Sequence, residues 1–246
     1  MAQGFFKHIP NINYDFKSDG KFYQAKDLFR KVSVWSYLQE GIAGYSYYRI
    51  TDGERPDVTA SKLYRDSTLY WTFFLVNENL QDMNDWPKSQ QYLHRFINRK
   101  YSGTVLNASS TTDIVSFNHS TNVSSKFLSG EKVTQSTTGA YGFVTKVEPT
   151  HNRIILNSVV GTFDTSSVVG SDSEKTFTPS SVVAEKDAVH HYTDSDGLLT
   201  TVSTSNTVVT NEEYERDLND EKHLIRYIEP KYMGDVLDEF KEIIRD

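Results

Sequence analysis

Apolar and polar positions alternate with period two over Val32–Leu38, which predicts a strand, and Tyr45–Ile50 predicts a second strand ended by Asp52-Gly53. Gly41 and Gly44 punctuate the chain between them, so the two runs are expected to pair as a hairpin. Asp57 is placed to cap a helix running to about Tyr64, with Pro56 defining its start. Leu69–Val76 reads as a second short helix. A third opens after Trp86-Pro87-Lys88, with Ser89 as N-cap and Leu93, Phe96 and Ile97 on one face. Further on, Lys132–Gln135, Gly142–Val147 and Arg153–Val159 are short β-branched runs flanked by glycines, a spacing that suggests a small barrel or sandwich. Residues 103–126 lack this order and read as a loop-like lead-in. His190–Thr193 and Leu198–Val202 flank an Asp-Gly turn and read as a hairpin. Thr210 and Glu213 form a capping box. Behind it, Tyr214, Leu218, Ile225 and Ile228 predict one amphipathic helix ended by Pro230. Met233, Val236, Leu237, Phe240, Ile243 and Ile244 predict a second. Both stripes need a partner surface, from this chain or from another.

Composition divides the chain the same way. Residues 1–101 mix aromatics with both charges, 102–185 are rich in Ser and Thr, and 186–246 end in a highly charged stretch. The expected fold class is α+β: an N-terminal α/β module, an inserted small all-β, barrel-like domain, and C-terminal amphipathic helices. Hydrophobic residues make up 37% of the 246, below the usual ~45–50%, and 15 Tyr and 14 Phe supply large buried area per residue in compensation.

Charge and chemistry narrow the function classes. The formal net charge of −7 speaks against a nucleic-acid partner. With no cysteine, disulfides, thiolate nucleophiles and Cys–zinc sites are excluded. No apolar run reaches the ~18 residues of a membrane span, and no secretory h-region opens the chain, so neither membrane nor export is expected. His190-His191 is the first candidate for a metal or catalytic pair, but neighbours on a strand point to opposite faces and match no ligand spacing. No nucleophile elbow, P-loop, dinucleotide fingerprint or His-Glu-x-x-His occurs. No catalytic residue, cofactor or metal is therefore assigned, and the chain is expected not to be an enzyme. The aromatic set Trp35, Tyr37, Tyr45, Tyr47 and Tyr48 could fill a core on one side and face a protein partner on the other; a core on both sides fits equally.

The run Tyr47-Tyr48-Arg49-Ile50-Thr51-Asp52-Gly53-Glu54-Arg55-Pro56-Asp57, an aromatic strand leading through a Gly-Glu turn into a helix, resembles a LysM module, whose order is strand, helix, helix, strand. No clear closing strand follows Asn77 in the sequence. With Phe5-Phe6-Lys7-His8-Ile9-Pro10, the helix at Trp71, Trp86-Pro87 and the segment Thr210–Asn219 continuing to Tyr232, the chain resembles baseplate wedge subunit fifty-three of T-even-type contractile-tailed phages over residues 1–101 and about 186–246. Residues 102–185 depart from the short form of that family; Phe127–Val133 and Thr138–Val144 look like a small β module of phage structural proteins. The resemblance implies a structural protein of the virion, made in the host cytoplasm and stapling neighbouring wedges into a six-fold ring around the hub. Its implied partners are other wedge subunits, including the large wedge proteins and the sheath-initiating subunit, and neighbouring copies of the wedge. Trp35, Tyr37, Tyr45, Tyr47, Arg55, Trp86, Tyr214, Leu218 and Phe240 are the expected interface residues. Removing residues 210–246 is expected to impair assembly more than it unfolds residues 1–101. The alternative is a carbohydrate- or peptidoglycan-binding LysM-type module of a virion protein.

Overall fold

A computed structural model describes residues 9–27, 44–108, 127–200 and 206–245. The strand expected at 32–38, with Trp35 and Tyr37, lies outside the described residues, as does the N-terminal Phe5–His8. The chain is mixed α+β and divides into two units: residues 1–90 with 218–246, and residues 91–217.

The first unit is organised by a strand pair remote in sequence. β3 (Tyr45–Arg49) pairs antiparallel with β14 (Leu224–Ile228), in register from Tyr45↔Ile228 to Arg49↔Leu224. Leu224–Ile228 was expected to continue a helix. It is a strand instead, because the helix α4 (Asn211–Glu221) stops first and a run of Leu, Ile, Arg, Tyr and Ile pairs better on a pleated edge. The spacing of Ile225 and Ile228 suits a helix stripe as well as a strand, and the free edge of β3 decides between them.

From β3 the chain enters α1 (Pro56–Tyr64). Its N-cap is Arg55, without a side-chain cap, and Asp57 is in the first turn rather than at the cap. Pro56 at the first helical position moves the cap two residues ahead of the expected Asp57, since its ring presets the helical φ. The expected helix Leu69–Val76 is a 3₁₀ turn, Ser67–Trp71, running into α2 (Thr72–Val76). Asp66 caps the turn, accepting the Thr68 N–H at 2.9 Å.

Two cores flank the β3–β14 pair. Ile50, Ala60, Phe73, Leu80, Trp86 and Ile225 form one. Ile9, Leu69, Trp71, Val76, Ile228, Met233, Val236 and Phe240 form the other, so Met233, Val236 and Phe240 of α5 (Met233–Arg245) are buried in their own chain. Two side-chain amides complete backbone pairing. Asn77 donates to the Arg226 carbonyl at 2.9 Å and accepts its N–H at 2.8 Å, occupying the outer edge of β14. Asn219 treats Lys88 the same way, at 3.1 and 2.7 Å. A separate hairpin, β1 (Asn11–Tyr14) with β2 (Tyr23–Lys26), precedes all this.

In the second unit the long helix α3 (Gln90–Lys100) follows Ser89 as expected and buries Leu93 and Ile97. A seven-stranded antiparallel sheet then has the order β10-β4-β7-β6-β5-β8-β9. Its strands are β4 (Thr104–Asn107), β5 (Lys132–Gln135), β6 (Tyr141–Glu148), β7 (Arg153–Val160), β8 (Val168–Gly170), β9 (Thr176–Phe177) and β10 (Ser181–Ala184). Three were expected. Residues 104–107 were read as a lead-in, yet they lie between β10 and β7 with Val105 and Leu106 fully buried. Four residues ahead of a Ser/Thr-rich stretch show too little periodicity to be recognised alone. The core holds Leu106, Phe127, Val133, Val144, Ile154, Leu156 and Phe163.

Buried Glu131 ties two loops of this sheet together. Its carboxylate accepts the N–H groups of Leu128 at 2.6 Å and Ser173 at 3.0 Å, and the Ser173 hydroxyl at 3.2 Å. Gly170 is required beside it, since a Cβ there would stand 2.5 Å from Glu131 Oε2. The expected hairpin also forms: β11 (Val189–Thr193) pairs with β12 (Leu199–Thr200), and with β13 (Thr207–Thr210) on its other side. The capping box is present, with Thr210 N–H to Glu213 Oε2 at 2.8 Å and Glu213 N–H to Thr210 Oγ1 at 3.2 Å.

Candidate functional site

In the first unit the turn after β3 is held by a buried carboxylate. Tyr48 is on the inner face of β3, and the strand ends two residues before the Asp52-Gly53 turn. Gly53 has φ +72°, the left-handed region that favours glycine. The chain thereby doubles back and sets Glu54 under Thr51. Glu54 accepts from the Thr51 hydroxyl, from Thr59 Oγ1 at 2.9 Å and from Tyr48 Oη at 3.1 Å, and pairs with Lys62 at 3.1 Å. Burial pushes its pKa up, but the bonds from Thr51, Thr59, Lys62 and Tyr48 outweigh burial and hold it at about 2.

A folded pKa of about 2 against an unfolded value near 4.5 means that the Glu54 contribution is present above about pH 4.5 and lost as pH falls toward 2. Urea unfolding of Glu54→Gln is expected to show lower stability at pH 7 and convergence with the wild type near pH 2. Equal pH profiles for the two proteins would refute this role.

The turn is covered by its own chain. Gln90 N–H donates to Asp52 Oδ1 at 2.8 Å, and Trp86 Nε1 donates to the Glu54 carbonyl at 2.8 Å. A Cβ at Gly53 would be 3.6 Å from the Ser89 Cβ.

The other face of β3–β14 is different along its length. Tyr45 and Ile228, at one end, pack into the core with Phe240. At the other end, Tyr47 and Arg49 of β3 and Leu224 and Arg226 of β14 project to solvent. Tyr47 is 63% exposed and Leu224 52%. Tyr47 is opposite Arg226, and Arg49 opposite Leu224. A groove of about 420 Å³ runs from this face to the end of α2, lined by Tyr47, Leu224 and Arg226 with Val76, Asn77, Glu78 and Asn79. Burial raises the pKa of Tyr45, and the charge of Arg226 opposes that rise.

The remaining candidate residues are dispersed. Arg55 is exposed and pairs with Asp57 at 3.1 Å. Trp86 and Phe240 are buried, Trp86 against Phe73 and Phe240 against Trp71 with ring centroids 4.6 Å apart. Leu218 is half-buried. Tyr214, in the second unit, stacks on His190 at 3.8 Å between centroids. Of the set described, Tyr47 and Arg55 are the accessible members. Arg49, Leu224 and Arg226 were missed; their signal was the alternation of Leu224 and Arg226 with Ile225 and Tyr227.

His190 and His191 do not point to opposite faces as expected. A register shift between Val189 and His191 turns the rings together, with their Nδ1 atoms 2.9 Å apart. Among the described residues no group of three or more His, Asp or Glu side chains is arranged to hold a metal. No described helix is long and apolar enough to cross a membrane.

The family model described as base plate wedge protein 53 matches residues 1–111. The N-terminal part of this chain is similar to base plate wedge protein 53. Baseplate wedge protein gp53 of Enterobacteria phage T4 is 30% identical over 77 residues, which cover 30% of this chain and 38% of that protein. The chain thus spans well under half the length of the curated relative it matches. The wedge-protein match takes in β3, the Glu54 turn, α1–α3 and β4, and so contains Tyr45, Tyr47, Arg55 and Trp86. Tyr214, Leu218 and Phe240 lie beyond it, as does β14.

Proposed function

We propose that this chain is a structural subunit of a contractile phage tail baseplate, built into the wedge and carried in the virion. The match of residues 1–111 to base plate wedge protein 53 carries this reading. In its finer form the subunit staples adjacent wedges into the six-fold ring around the hub. Its partners are the large wedge proteins, the sheath-initiating subunit and neighbouring copies of the wedge, and it is made in the host cytoplasm and performs no catalysis. The order β3, α1, the 67–76 helical segment and β14 supports a LysM-like module whose closing strand comes from the far end of the chain. Everything between Val76 and Leu224 is then an insertion into that module.

A glycan-binding module, the alternative raised by the same order of elements, is disfavoured because Trp86–Gln90 already cover the Gly53 turn. Calorimetry with chitin oligomers should give no heat of binding. For the structural reading, a stop codon in the gene should leave infected cells with unjoined wedges and no hexagonal plates in negative-stain micrographs. Supplying the chain in trans should restore the plates. Complete plates without the chain would refute it.

A further inference from the structure

The open half of the β3–β14 face differs from the rest of the molecule in charge. The chain carries a formal net charge of −7, yet this face presents two guanidiniums, Arg49 and Arg226, beside an exposed tyrosine and an exposed leucine. Neither arginine forms an ion pair among the described residues. Lys222, four residues before Arg226, is by contrast paired with Asp85 at 3.3 Å. Exposed Glu78 lines the groove, and Asp52 and Asp220 line a neighbouring cleft with Arg49, Asp52 already accepting the Gln90 N–H. The backbone that carries the four side chains is fixed. Their strands are paired residue for residue, and Asn77 fixes the outer edge of β14 at Arg226 itself.

Arginine and tyrosine on a preorganised surface are the residue types that carry most binding energy at protein interfaces. Arg49 and Arg226 lie on one diagonal of the four-residue patch, and Tyr47 and Leu224 on the other. A ligand must then offer carboxylates on two corners and apolar surface between them. A second copy of this chain brings another −7 and so adds net repulsion.

From this we infer that Tyr47, Arg49, Leu224 and Arg226 form the docking face for an acidic segment of a different wedge subunit, with two carboxylates meeting the arginines and an apolar side chain entering the groove by Tyr47. The inference rests on the wedge reading above and adds the chemistry of one partner.

The test uses the full-length chain and, as probe, wedge complexes purified from cells infected with phage whose copy of this gene carries a stop codon. Binding is read by fluorescence anisotropy at low and high salt. The paired substitution Arg49→Glu with Arg226→Glu should weaken binding at least about tenfold at low salt, and Tyr47→Ala should weaken it as well. Wild-type affinity should fall as salt rises, while the charge-reversed protein should be nearly indifferent to salt. Circular dichroism checks the fold. Should the reversal prove unstable, Arg49→Gln with Arg226→Gln is expected to give the same direction with a smaller loss.

Wild-type affinity in these variants would overturn the docking face and leave the wedge reading intact. Failure of the wild-type chain itself to bind would overturn both. Self-association abolished by the reversal, with wedge binding unchanged, would make a second copy the occupant and overturn the inference.

Discussion

A chain ending at Glu221 is expected to lose the cooperative unfolding of the first unit. The missing residues include β14 and α5, hence Ile225, Ile228, Met233, Val236 and Phe240, all buried. Each such side chain contributes roughly 1.5–3 kcal/mol when withdrawn from water. Five together come to roughly 7.5–15 kcal/mol, as much as the ~5–15 kcal/mol that separates a folded domain from its unfolded chain. The loss also strips β3 of its hydrogen-bonding partner. Trp71 and Trp86 are both buried in this unit, so their emission should shift to the red in the truncated chain. Blue emission and a retained urea transition would show that residues 1–221 hold the fold without the C-terminus. The expectation that removing residues 210–246 impairs assembly more than it unfolds residues 1–101 is thereby revised, because β14 and α5 supply half of one core and Ile225 of the other.

The second large effect is expected from Trp71→Ala. The indole is 5% exposed and packs on Phe240, with Leu69, Val76, Ile228 and Val236 in the same cluster. Truncation leaves a cavity enclosed by the 3₁₀ turn and by α5. The walls come from segments far apart in sequence and cannot collapse together. A cost of about 3–5 kcal/mol follows, read as a lower urea midpoint for the first unit. Because the seven-stranded sheet has its own core, the second unit should keep its transition. An unchanged midpoint would mean that the ring is not part of the core.

Local chemistry made a good part of this fold legible. The capping box at Thr210 and Glu213, the Asp-Gly hairpin at 193–199 and the strands at 132, 141 and 153 each depend on residues within a few positions of one another. So does the aromatic strand running into the Gly53 turn. Errors arose where a partner lies far away. Leu224–Ile228 carries apolar spacing that fits two periods, and only the edge of β3, with Asn77 beside Arg226, makes it a strand. Thr104–Asn107 is short and becomes a strand by inserting between β10 and β7.

The candidate faces divide along the same line. Trp86 and Phe240 are large aromatics whose sequence neighbourhoods say nothing of which surface covers them. Both are covered from within, by segments that meet only in the folded chain. Arg49 and Arg226 are unremarkable in sequence and become a pair through the strand register alone.

By itself the sequence determined the α+β character, the β-rich middle, the amphipathic terminal helix and the likeness of the N-terminal part to a wedge protein, because these follow from composition, short-range periodicity and motifs. Only the tertiary structure decided that the C-terminus closes the N-terminal module and which aromatics remain in water. Both depend on contacts between residues more than a hundred positions apart, and side-chain spacing along a chain carries no information about which distant edge will be free to receive it.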